Sequence, residues 1–160
     1  MASDNINIGI VGLGFMAAMH IRAYRQVEGV TIGAICDLDP ERLKGDFTNV
    51  LGNIDSGDPV KLDMSQVKAY QDFNELLADE SIDVIDICTP TRTHLRMAKP
   101  ALASGKHVIC EKPLARTVAE AKEIAEAATQ AKGLPCYFTS RTSESAMRLC
   151  EHTALSFSES

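Results

Sequence analysis

Tryptophan is missing from this chain, and its other aromatic rings come to three Tyr and five Phe in 160 residues. A core must therefore be assembled from Ile, Val, Leu, Met and Ala. No apolar run is long enough to cross a bilayer: the longest, Ile8 to Met19, is too short and is punctuated by glycine. No basic run is long enough to track phosphates, and the net charge of −6 is spread over mixed acids and bases. That excludes the electrostatic footprint of a DNA, RNA or anionic-membrane partner. The N-terminus has neither a basic region nor a twin arginine, so the expectation is a soluble, cytoplasmic protein. The five cysteines (Cys36, Cys88, Cys110, Cys136, Cys150) form no C-x-x-C pair and are odd in number. Reduced, buried thiols are expected, and no metal, because a zinc site needs Cys or His clustered at short spacing.

What is present is an apolar fraction of 45 %, enough for one well-cored domain of this length and too little chain for two full α/β domains. Segments of strand and helix character alternate. Strands are expected at Ile6–Val11, Val30–Cys36, Val67–Tyr70, Ile82–Cys88, His107–Cys110 and Leu134–Phe138. Helices are expected over Gly14–Arg25, Pro40–Val50, a short stretch after Asp72, His94–Ser104 closed by Gly105, and Thr117 to about Lys132 with Gly133 as its cap. Asp72–Glu75 and Thr117–Glu120 both read as capping boxes. Leu51–Ser65 reads as a loop. Strands joined by helices of this length form parallel sheets with right-handed crossovers, so the fold class is α/β, a doubly wound parallel sheet. Residues 1–138 make this domain, and 139–160 an irregular tail with at most a weak helix around Ser145–Thr153.

Four pieces carry chemistry. In Gly12-Leu13-Gly14-Phe15-Met16-Ala17, Gly12 permits a tight turn and Gly14 a close backbone approach to a pyrophosphate. Ala17 keeps the helix near the strand, and the amides of Phe15 and Met16 face the phosphates at the positive helix end. Asp37, 23 residues beyond Gly14 at the end of the second strand, suits both hydroxyls of an adenosine ribose. It would repel a 2′-phosphate, and no arginine follows immediately, so NAD is preferred to NADP. Thr89-Pro90-Thr91-Arg92-Thr93-His94 follows the fourth strand, on the side where doubly wound sheets bind ligands; by itself His94 reads more readily as a helix-start residue satisfied locally. Glu111-Lys112-Pro113 ends the fifth strand, where a lysine can hold a substrate oxygen and steady negative charge.

Together with Gly105-Lys106-His107-Val108, these pieces resemble the glucose-fructose oxidoreductase/inositol dehydrogenase/rhizopine-catabolism (Gfo/Idh/MocA) family from about Asn5 to Phe138. The resemblance implies a Rossmann fold and NAD(P). It implies pyrophosphate on Gly12, Gly14, Phe15 and Met16, and ribose on Asp37. Thr89, Pro90 and His94 would line the cofactor cleft, with Glu111 and Lys112 near the nicotinamide. Lys112 would be the catalytic residue, its bond to Pro113 cis. Substrates would be sugars or polyols. Departures are Thr91 where Asn is usual, Pro100 inside a helix, and Asp86 in an apolar strand, where it must find a partner. Members of the family are commonly twice this length, with a second α/β domain supplying the substrate pocket, an acid/base and the subunit interface. One expectation is therefore a dehydrogenase domain completed elsewhere. The alternatives are a stand-alone, truncated or frame-shifted nucleotide-binding module without turnover, and a subunit that completes its site with a neighbour. An apolar face left uncovered would favour self-association into a homo-oligomer.

Overall fold

The computed structural model describes residues 5–48, 50, 60–131 and 137–139. Six strands form one sheet: β1 (Ile6–Val11), β2 (Val30–Cys36), β3 (Lys68–Tyr70), β4 (Val84–Ile87), β5 (His107–Glu111) and β6 (Tyr137–Thr139). Their spatial order is β3-β2-β1-β4-β5-β6, and every neighbouring pair is parallel. Among the described residues the α-helices are α1 (Phe15–Tyr24), α2 (Phe73–Ala78), α3 (His94–Ala103) and α4 (Val118–Gln130). The order reverses between β1 and β4, which opens a crevice at their carboxyl ends.

Burial on both faces explains why the strands read as near-continuous apolar runs. Ile8 and Ile10 of β1 meet Ala17, Ile21 and Tyr24 of α1 on one face. Ile85 and Ile87 of β4 meet Leu76 of α2, Leu102 of α3 and Ile124 of α4 on the other. Each of these isoleucines is fully buried, worth about 2 kcal/mol apiece in transfer free energy. The alternation along a strand then fixes where polar exceptions point: Asp86 follows Val84 onto the α1 face, and Glu111 follows Ile109 there.

Strand positions match the sequence reading closely, but one helix does not. Pro40–Val50 contains a single 3-10 turn, Arg42–Lys44, in place of the expected helix. Gly45 takes φ +70°, and the chain turns inward so that Phe47 is buried and its amide donates to the Val60 carbonyl at 2.9 Å. Burying that ring, with a left-handed glycine to allow the turn, outweighs helical propensity. Asp72 caps α2 by accepting from the Asn74 amide. Thr117 caps α4 by accepting from Glu120 N, while Glu120 reaches Arg116 N at 3.0 Å, one residue before the cap. Helix α3 runs through Pro100. The expected Gly133 cap and everything beyond Thr139 lie outside the described residues, as does Leu51–Pro59 of the expected loop.

Candidate cofactor cleft and active site

The turn from β1 into α1 contains two glycines with different reasons for being glycine. Gly12 has φ +86°, and a Cβ there would lie 2.6 Å from Thr89 Cγ2 and 2.9 Å from the Thr89 amide nitrogen. The protein's own backbone demands it. Gly14 has an ordinary φ of −90°, and a Cβ there would find nothing nearer than Arg42 Nη1 at 3.9 Å. Its missing side chain instead keeps space open above the N-terminus of α1. No side chain caps that terminus, so the Phe15 and Met16 amides, with the positive helix end, face this space. Ala17, fully buried, lets α1 lie close to the sheet. The opening suits a pyrophosphate.

Asp37 stands at the end of β2 with its side chain mostly buried, 13 % exposed. One carboxylate oxygen accepts from Leu13 N at 2.7 Å and the other from Asp39 N at 2.9 Å. Each oxygen keeps a second lone pair for a ribose hydroxyl. Arg42 Nη1 lies 3.8 Å from the same carboxylate. Sequence reading missed this arginine because it placed residue 42 inside a helix, whereas the turn at 42–44 swings it over the cleft.

A cleft of about 860 Å³ runs along this edge, lined by Gly12, Gly14, Asp37, Thr89, Pro90 and Arg42, among others. Arg92, which lies within the Thr89–His94 piece without a role of its own there, and Arg96, which the sequence does not mark, also line it. Thr93 donates its hydroxyl to the Pro90 carbonyl at 2.7 Å, which leaves Thr89 to donate to Thr93 Oγ1 at 2.6 Å and holds the wall in shape. His94 stands behind that wall, fully buried. Its Nε2 lies 2.8 Å from the Thr89 carbonyl, and its Nδ1 lies 3.0 Å from the Pro113 carbonyl. It ties the loop after β4 to the loop after β5. Glu111 is buried too, whereas Lys112 is exposed outside this cleft; the Lys112–Pro113 bond is cis. The glycine turn, Asp37, Thr89 and Pro90 are thus brought together, and Glu111 and Lys112 form a second group at the end of β5.

Residues 6–138 match the model of an oxidoreductase family with an NAD-binding Rossmann fold. The chain belongs to the Gfo/Idh/MocA oxidoreductase family. It is 31 % identical over 126 residues to a D-apiose dehydrogenase of Paraburkholderia graminis, covering 79 % of this chain and 30 % of that protein. It is 34 % identical over 125 residues to a glycosyl hydrolase family 109 protein of Shewanella pealeana, covering 78 % and 26 %. An oxidoreductase from Agrobacterium radiobacter, solved with NAD+, L-tartaric acid and magnesium, superposes with a TM-score of 0.68 at 30 % identity, covering 84 % of this chain and 35 % of its own. The chain spans about a third of the length of the curated relatives it matches. This is the family's NAD-binding domain, and among the described residues no helix is long and apolar enough to cross a membrane.

Beneath the cleft of this family domain lies a polar cluster of which the sequence marks Asp86 and Glu111 separately, without their partner His20. His20 and Tyr24, one helical turn apart on α1, both meet it: His20 Nδ1 at 2.7 Å and Tyr24 OH at 2.8 Å from Asp86 Oδ2. On its other side, His20 Nε2 is 3.1 Å from Glu111 Oε1. Burial works against charge on the His20 ring, but the charge of Asp86 and its hydrogen bond outweigh it, and its pKa stands well above the ordinary value. Burial, with the nearby Asp86 charge, pushes the Cys88 thiol up to about 12. The His20, Asp86 and Cys88 donor atoms lie within 4.8 Å of one another. Two of the three are spent on each other and the third is a neutral thiol, so the cluster is a hydrogen-bonded core network.

Proposed function

We propose that this chain carries the cofactor-binding half of an NAD-dependent dehydrogenase acting at a hydroxyl-bearing carbon of a sugar or cyclitol. The observation that carries the reading is the open space kept by Gly14 over an uncapped helix, with Asp37 at the far end of the same cleft. NAD, when bound, supplies the hydride acceptor. The Phe15 and Met16 amides bind its pyrophosphate, and Asp37 accepts from its adenosine ribose. Thr89 and Pro90 wall the cleft, and His94 fixes that wall. Glu111 and Lys112 sit near the nicotinamide, and Lys112 also holds the substrate oxygen, with Glu111 anchoring its backbone: the Lys112 amide donates to Glu111 Oε2 at 3.0 Å. The dehydrogenases of apiose and myo-inositol among the relatives support this substrate class. Residues 1–138 act as one domain, the substrate pocket is completed by structure outside the described residues, and copies of the chain associate. Thiols at Cys36 and Cys88 suit a reducing cytoplasm.

Titration with NADH and NADPH, followed by fluorescence, tests the reading. Saturable NADH binding is expected. Asp37→Ala should weaken NADH by about tenfold or more, the worth of one charge-assisted hydrogen bond, and leave NADPH nearly unchanged. Binding of neither nucleotide would overturn it. Reduction of NAD+ against a panel of polyols then tests the substrate class.

A further inference from the structure

The described core contains one histidine gripped by two carboxylates from different strands, and its place in the fold gives it work to do. His20 sits on α1, the helix whose N-terminus faces the pyrophosphate space. Asp86 lies on the central strand β4 and Glu111 at the last residue of β5. Glu111 has two oxygens with two duties: Oε1 lies against His20 Nε2, and Oε2 accepts from the Lys112 amide. A continuous path therefore runs from the phosphate-binding helix, through the imidazole, to the backbone of Lys112. We propose that His20 is a positioning residue, which sets the Glu111–Lys112 strand end against α1 so that the pyrophosphate and nicotinamide ends of the cofactor are held at a fixed separation. This deepens the functional reading above and rests on its placement of Lys112 at the nicotinamide.

The chemistry supports a bridge made by a doubly protonated ring. Both ring nitrogens face carboxylate oxygens, and a neutral imidazole has one N–H to give. A neutral ring would set a lone pair against one carboxylate in a buried site, where such a contact is costly. The groups around the ring are Asp86 and Cys88 from β4 and its end, Glu111 from β5, and Tyr24 from α1 itself, whose ring packs edge-on at 6.1 Å. Asp86 has Tyr24 as a second donor, so it stays satisfied if the ring is replaced. The Nε2 side is the one that transmits position to Lys112.

The test compares NADH with ADP-ribose, which shares every contact except those to the nicotinamide end. His20→Asn keeps a donor near the Nδ1 position and loses the one facing Glu111; His20→Gln keeps the donor facing Glu111. His20→Asn should weaken NADH by about tenfold and ADP-ribose by less than about twofold, with His20→Gln close to wild type for both. Equal loss for the two ligands in His20→Asn, or no loss for either, overturns the proposal. In parallel, 15N resonances of the wild-type ring at pH 7 should show both nitrogens protonated, and a neutral ring overturns the proposal even if a variant fails to fold. Lys112→Ala separates this result from the reading beneath it. If that change leaves NADH binding untouched, Lys112 is not at the nicotinamide, and that placement fails before the role of His20 is tested.

Discussion

The two edges of the sheet spend their polar groups differently. At the amino edge, Asp79 accepts from Lys68 Nζ at 2.9 Å, Tyr70 OH at 2.9 Å, and Ser81 through both its hydroxyl and its amide. Close by, Lys106 Nζ donates to the carbonyls of Asp79 and Ile82, and Asp83 accepts from the Asn7 amide. These contacts bind loops to one another. At the carboxyl edge, Asp37 has lone pairs to spare, the first amides of α1 are uncapped, and arginines line an open cleft. Both edges hold well-bonded aspartates, so a bonded acid does not mark a site. Unspent bonding capacity facing a cavity does.

The largest effect expected at the carboxyl edge comes from Gly12→Val. A side chain at φ +86° meeting Thr89 within 3 Å should cost roughly 3 kcal/mol or more in urea unfolding and abolish NADH binding. A variant that folds and binds normally would break the account of the turn. Asp79→Ala should cost about 2 kcal/mol through lost hydrogen bonds, yet leave NADH affinity unchanged in the folded protein. A matching loss of affinity would erase the distinction between the edges.

The smallest effect is in pH. Asp79 is held below its ordinary range: burial would raise it, but Lys68, Ser81 and Tyr70 together outweigh that. Its stabilisation is present above the unfolded value near ~3.9 and is lost as pH falls through the folded one. His20 is raised, so its stabilisation is complete below the unfolded value near ~6.5 and is lost as pH rises through the folded one. Urea midpoints should therefore fall on acidification through Asp79 and on alkalinisation through His20. Asp79→Ala should flatten the first slope and His20→Gln the second.

Much of this was legible along the chain, because the signals are local. Strand runs, the glycine turn, Asp37 at the end of β2 and the Thr117 cap each depend on a few consecutive residues. The misread segment, Pro40–Val50, failed where local propensity met a long-range demand: Phe47 pairs with Val60 and turns into the core. Arg42 was missed with it. Lys112 and Glu111 were found as a motif, but their division into an exposed lysine and a buried acid bonded to α1 was not visible there.

The sequence by itself determined the alternating strands and helices, the parallel order they imply, and a phosphate cradle with a ribose acid downstream. It could do so because backbone preferences and period-two burial are written in short windows. Only the tertiary structure decided that a side chain at Gly12 would strike Thr89, and that Arg42 lies over Asp37. It alone decided that His20 meets Asp86 and Glu111, 66 and 91 residues further along the chain, in one buried hydrogen-bonded cluster. Those outcomes depend on which face of β4 and β5 meets α1, and that is fixed when the sheet closes against the helix.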